Sequence, residues 1–197
     1  MNGFERRANR IKEKIMKATM EMLQTLEPKR IRIADISKRA NVSQVTIYNY
    51  FGSKEALLRE VFVNFVDKAI RDFEEYMNGN HSLKDKIEHI IFMEKEAYRE
   101  LRPGVIKELM IEDHELARYV EKLYKEKTIP WTVRIIEEGK MSGEIAKNVS
   151  AENVLAFIQL YMNQYDTILE MAAQSGDMDN FLEGMVQMFF YGICGKP

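Results

Sequence analysis

The chain has 197 residues, of which 46% are apolar and 30% charged, the composition of one or two ordinary globular domains able to bury a core. No stretch approaches the roughly 20 apolar residues that cross a bilayer, and the charged start "MNGFERRANRIKEK" is unlike a secretion signal, so a cytoplasmic protein without membrane contact is expected. A single cysteine, Cys194, excludes an internal disulfide and reads as an incidental thiol. The net charge of −2 is unevenly spread: residues 1–60 hold 13 Lys and Arg against 7 Asp and Glu, a balance of +6, leaving −8 for the remainder. A basic head that meets a polyanion, joined to an acidic body, is the implied organisation.

Apolar residues recur at helical spacing along almost the whole chain and strand-type alternation is nearly absent, so the fold class is all-α, with about nine helices. The first helix spans about Arg7 to Leu26, with Ile11, Ile15, Ala18, Met22 and Leu26 on one stripe, and "EPKR" ends it at Pro28. A short second helix follows from Ile33 to Ala40. Ser43 caps a short third helix that stops at Gly52, and Ser53 caps a long fourth reaching about Met77. In the body, Ser82 opens a helix to about Leu101, Pro103 and Gly104 interrupt, and a short segment through Met110 leads to a long helix from about Asp113 to Glu138. The glycines of "EGKMSGEI" mark a turn. Ser150 then caps a helix to about Ala173, "QSGD" turns, and a last helix covers about Met178 to Tyr191.

The last two helices are apolar around too much of their girth for one small core. Val154, Ile158, Met162, Tyr165 and Leu169 make one stripe, while Phe157, Leu160 and Met171 lie roughly opposite; Leu182, Met185, Val186, Phe189 and Phe190 spread similarly. One side is expected to face a second copy of the chain, the alternative being a thick intramolecular core.

Two short helices joined by a tight turn in a basic segment are the ingredients of a helix-turn-helix, whose second helix enters the major groove of double-stranded DNA. At about 100° per residue, Ile47 and Phe51 of the third helix point to the core, Val45 and Asn49 fall opposite, and Tyr48 and Thr46 flank them. An amide and a small apolar group ringed by hydroxyls suit base edges with phosphates on both sides. Lys54 opens the fourth helix, where the helix dipole disfavours a cation unless an anion such as phosphate is near. The plainer reading is that the tyrosines cover a hydrophobic seam.

The stretch "IADISKRANVSQVTIYNYFGSKEALL", residues 33–58, resembles the TetR family of bacterial transcriptional regulators. Beyond residue 60 the resemblance is architectural, in helix number, helix lengths and the "EEGKMSGEI" turn. It implies a three-helix DNA-binding domain at 1–52 and a helical ligand-binding and dimerisation domain at 53–197. It also implies that Gln44, Val45, Thr46 and Asn49 face bases and that Tyr48, Tyr50 and Lys54 contact phosphates, although the helical wheel places Tyr50 nearer the core edge. Ser43 joins this set at the head of the helix. The chain departs from the family pattern at "EPKR", where a glycine is usual, and at Arg32, where a capping threonine is usual; Arg32 offers a guanidinium to phosphate instead. Homodimerisation through the last two helices, a palindromic operator, and repression relieved by a small-molecule effector are further expectations of the resemblance.

His89 follows Asp85 by four residues and His114 lies in "EDHE", but neither has the further ligands a metal site needs, so both are expected to be exposed. Neither a phosphate-binding glycine loop nor a Ser/His/Asp arrangement is present, so no enzyme activity and no cofactor is expected. Phe92, Met93, Tyr98, Met110, Leu123, Tyr124, Trp131 and Ile135 on the middle helices, with Tyr161 and Tyr165, offer walls for an apolar or amphipathic effector, or ordinary core. The remaining alternative function is a helical ligand-binding or partner-binding protein whose basic head serves another anionic surface.

Overall fold

The computed structural model describes residues 3–83, 85, 86, 89 and 100–194, and all regular structure among them is helical. For a few of these, including Ile158, Met162, Tyr165, Leu169, Val186, Phe190 and Cys194, the backbone alone is described. The helices are α1 (Gly3–Leu23), α2 (Ile33–Ala40), α3 (Gln44–Phe51), α4 (Lys54–Asn78), α5 (Pro103–Glu112), α6 (His114–Leu123), α7 (Ile129–Ser142), α8 (Ala151–Asn163), α9 (Tyr165–Gln174) and α10 (Met178–Cys194). The chain packs as two compact units, Met1–Glu75 with Glu94–Val120, and Tyr76–Met93 with Glu121–Pro197.

The first unit, the head, gathers the apolar stripe of α1 into one core. Ile15, Leu23, Ile31, Ile36, Ile47, Leu57, Phe62, Leu101 and Leu116 are all withdrawn from solvent there. Full burial of one such side chain contributes roughly 1.5–3 kcal/mol. Thr19 is buried among them and satisfies its hydroxyl by donating to the Ile15 carbonyl at 2.9 Å. α1 stops at Leu23, short of the expected Leu26, because the Thr25 hydroxyl binds the Met22 carbonyl at 3.3 Å and Pro28 holds Glu27 extended. Pro28 itself opens a 3-10 turn, Pro28–Arg30.

Pro103 likewise begins a helix where an interruption was expected; at the first position its missing N–H costs nothing. Asp113 caps α6, its Oδ1 accepting from the backbone N–H of Glu115 at 3.0 Å and of Leu116 at 3.3 Å. Its Oδ2 accepts from Arg59 Nε at 2.5 Å, tying α4 to the start of α6. Burial pushes the Asp113 carboxyl up, but the Arg59 bond and the two backbone donors outweigh it and hold it below the usual aspartate range.

In the second unit, the single helix expected from Asp113 to Glu138 is interrupted by a π turn, Tyr124–Thr128, and α7 runs on to Ser142. Pro130 is the cause: it has no N–H for the Glu126 carbonyl, and the ladder widens so that the Ile129 N–H reaches the Tyr124 carbonyl. The expected glycine turn is also half right. Gly143 takes φ +83 and ends α7, but Gly139 is helical and buried, and a Cβ there would meet Ile145 Cδ1 at 2.7 Å and Leu83 Cδ2 at 2.8 Å. Ser150 caps α8, its Oγ accepting from the Asn153 N–H at 3.1 Å, and the helix expected to continue to Ala173 breaks at Gln164. His89, expected to be exposed, is instead half-buried and stacks on Tyr76 with ring centres 3.5 Å apart. No helix among the described residues is long and apolar enough to cross a membrane.

Candidate nucleic-acid interface

The turn between α2 and α3 is built from local chemistry. Asn41 takes the left-handed conformation, φ 49, which an asparagine tolerates and which closes α2. The Ser37 hydroxyl donates to the Val42 carbonyl at 2.6 Å, and the Val42 N–H returns a bond to the Ser37 carbonyl at 3.1 Å. Ser43 then caps α3, accepting from the Thr46 N–H at 3.0 Å, with the two hydroxyls 2.8 Å apart. Gly52, φ 78, ends α3, and Ser53 caps α4 by accepting from the Ala56 N–H at 3.0 Å. A short, rigid helix is therefore fixed at both ends.

Its two faces are opposite in character. Ile47 and Phe51 are buried in the head core, while Gln44, Val45, Tyr48 and Asn49 are exposed, Val45 at 66% and Tyr48 at 48%. Thr46 is half-buried and its hydroxyl is engaged by Ser43. Tyr50 is half-buried and packs against the head core, as the wheel indicated. α3 carries no charged residue, so what it presents is shape, an amide at each end of the exposed face and a phenol.

Arg32 and Lys54, the two cations expected to contact phosphate, are held by intramolecular partners. Arg32 lies just before α2 and does not cap it through its side chain; its guanidinium binds Asp35 at 2.8 Å, and that hydrogen bond followed by the carboxylate's charge raises the Arg32 pKa further. Lys54 Nζ donates to the Pro28 carbonyl at 3.0 Å, pinning the start of α4 to the 3-10 turn. Around this contact lies an open groove of about 480 Å³, walled by Pro28, Lys29, Lys54, Arg59, Glu108 and Asp113 among others. Lys29 pairs with Glu112 at 3.1 Å across it, and Arg59 reaches Glu115 at 3.2 Å. The sequence carried no local signal for this groove, because its ion-pair partners lie more than 50 residues apart.

The aromatic residues expected to form an effector site fall in different places. Met110 belongs to the head; Tyr124, Trp131 and Tyr161 belong to the second unit. Arg134 lies over the Trp131 ring at 4.8 Å, and Tyr161 packs with Phe157 at 5.2 Å while its hydroxyl is 3.5 Å from the Met185 carbonyl. Phe92, Met93 and Tyr98 lie outside the described residues, as does the side chain of Tyr165.

A capped two-helix unit that buries one face and offers an uncharged polar face to solvent defines a helix-turn-helix DNA-binding protein. Residues 15–61 match the model of the bacterial regulatory proteins of the tetR family. The chain is 24% identical over 143 residues to the HTH-type transcriptional regulator YvdT of Bacillus subtilis, covering 71% of this chain and 72% of that one. It is 32% identical over 69 residues to DhaS, the dhaKLM operon transcriptional activator of Lactococcus lactis, 35% of this chain and 37% of that. Its fold is similar to that of FadR from Bacillus subtilis, solved in complex with stearoyl-CoA, with a TM-score of 0.68 at 22% identity over 92% of this chain and 98% of that. Residues 15–61 therefore carry a helix-turn-helix segment of the kind found in the bacterial regulatory proteins of the tetR family.

Proposed function

We propose that the protein is a cytoplasmic transcriptional repressor that binds a palindromic DNA operator as a homodimer and leaves it when an amphipathic small molecule binds the body. The observation that carries this reading is the exposed face of α3, with Val45 two-thirds exposed on a helix that is otherwise anchored by Ile47 and Phe51. Gln44, Val45, Thr46 and Asn49 are assigned to base edges, and Arg32, Ser43, Tyr48, Tyr50 and Lys54 to phosphates. In binding, Lys54 exchanges the Pro28 carbonyl for a phosphate oxygen, and Arg32 shares its guanidinium between Asp35 and the backbone. We assign DNA reading to residues 1–52, and effector binding and pairing to residues 53–197.

Dimerisation is supported by apolar side chains that one copy leaves wet. Phe157 and Leu160 on α8, and Met188 and Tyr191 on α10, are exposed, and Phe157 and Phe189 join the two helices with ring centres 5.3 Å apart. A two-fold pairing of these helices covers them. An amphipathic effector is supported by the stearoyl-CoA held by the structurally similar FadR. The likeness to the activator DhaS favours a second reading in which the same contacts recruit rather than block transcription.

A gel shift with DNA from around the protein's own gene tests the proposal. Retention of that DNA over unrelated duplex, and its release by long-chain acyl-CoA with a parallel change in Trp131 fluorescence, is the expected result. Equal binding to unrelated duplex would overturn sequence recognition; fluorescence change without release would overturn the effector mechanism alone.

A further inference from the structure

Attraction to DNA comes mainly from neutralised phosphates, yet the recognition helix α3 carries no charge, and most cations of residues 1–60 are paired within the protein. Lys12 binds Glu60 at 3.1 Å, Arg30 binds Glu27 at 3.3 Å, Arg39 binds Glu21 at 2.8 Å, and Lys29, Arg32 and Arg59 are held by the acids named above. Lys38 on α2 and four residues of α1 are different. Arg7, Arg10, Lys14 and Lys17 are exposed and have no ion pair or hydrogen bond among the described residues.

These four recur at three- and four-residue spacing, so they share one exposed face of α1, alongside the buried stripe of Ile15, Ala18 and Met22. Placing like charges at that spacing destabilises a helix, and none of the four stands in the last turn, where the helix dipole would favour a cation. Glu13, exposed beside the stripe, is the only acid between Arg7 and Lys17. An arrangement unfavourable in the free protein is offset by a polyanion on that face. From residue 7 to residue 17 the stripe runs about 15 Å, the length of roughly four base pairs at 3.4 Å each.

We infer that the exposed face of α1 is a second, sequence-independent phosphate-binding surface that holds the duplex flanking the half-site read by α3. The inference rests on the DNA-binding reading above. Duplex DNA is the occupant because the stripe lies in the same compact unit as the helix-turn-helix, and α3 lacks the charge that would draw and hold the duplex.

The test compares the full-length protein with R7Q/R10Q/K14Q/K17Q on two duplexes, the core operator alone and the same operator with about 10 flanking base pairs on each side, one helical turn. The wild type is expected to bind the long duplex more tightly and with a steeper salt dependence, by about 0.9 in log–log slope for each added phosphate contact. The quadruple variant should lose that extra slope and at least about tenfold in affinity for the long duplex, keeping its base preference. R7K/R10K, which retains charge, should behave as wild type, and a circular-dichroism melt of the quadruple variant at or above the wild-type temperature shows that the fold is intact.

Equal slopes for wild type and quadruple variant on the long duplex would overturn the inference while leaving recognition by α3 standing. Failure of the wild type to prefer the core operator over unrelated duplex would overturn the DNA reading and this inference together. If the substitutions instead abolished binding to vesicles of anionic lipid with both duplex slopes unchanged, the stripe would belong to a membrane surface and the inference would fall.

Discussion

In the head, Ile15, Leu23, Ile36, Ile47, Leu57 and Phe62 are each withdrawn from solvent and meet in one core, whereas α8 and α10 leave Leu160 at 63% exposure and Tyr191 at 64%. The head carries its polar surface and its apolar core on separate faces of the same short helices. Among the described residues of the last helices, aromatic and methionine side chains stand on the wet side. The difference supports the proposed partners: α3 offers hydrogen-bonding groups suited to a polar groove, and the exposed side chains of α8 and α10 suit another apolar surface.

The comparison breaks most easily at the head core. Ile47→Ala removes a fully buried side chain from beneath the recognition helix and is expected to cost about 2–5 kcal/mol in urea unfolding, taking duplex binding with it. A loss below about 0.5 kcal/mol would show that α3 is not anchored as described.

Charging the C-terminal face is expected to act on assembly instead. Leu160→Glu with Met188→Glu should give a monomer in sedimentation at micromolar concentration and weaken operator binding by at least about tenfold, or 1.4 kcal/mol, with helix content unchanged. An intact dimer would place the interface elsewhere.

Smaller effects sharpen the contrast. Ser43→Ala, which frees the Thr46 N–H, should lower stability by about 1 kcal/mol, and Ser43→Asp should restore most of it. The Asp113 carboxyl, held below its usual range in the folded head, contributes stability that is present above the ordinary aspartate pKa and lost as pH falls through it toward the folded value. Asp113→Asn should therefore flatten that acid limb in a pH series of thermal melts; Arg59 is partly exposed, so the change is at most about 1 kcal/mol.

How much of this was legible in the sequence follows the range of the interaction. Ser43, Ser53, Ser150 and Gly143 act on their immediate neighbours, and the caps and turns they signal are where expected. The inward turn of Ile47 and Phe51, the exposure of Val45 and Asn49, and the half-burial of Tyr50 follow from helical period alone. Gly139 was misread because its role depends on Leu83 and Ile145, and a glycine that lets side chains approach looks the same in sequence as one that turns the chain. Pro130 is a legible signal of the π turn, since a proline inside a helical pattern demands a break or a bulge. The partners of Lys54, Arg59 and Lys29 are distant in sequence, so neither the Pro28 contact nor the ionic groove could be seen. The aromatic stripe could not separate cavity from core, because both are written in the same residues.

The central claim is that α3 reads bases while Lys54 holds the backbone. Selecting bound duplexes from a random library with wild type, Asn49→Ala and Lys54→Ala measures this directly. The wild type should return a palindromic consensus; Asn49→Ala should lose preference at defined symmetric positions; Lys54→Ala should keep the consensus but bind all sequences more weakly, with a salt slope lower by about 1. A consensus unchanged by Asn49→Ala and by the matching change at Gln44, or no consensus at all, would contradict the account.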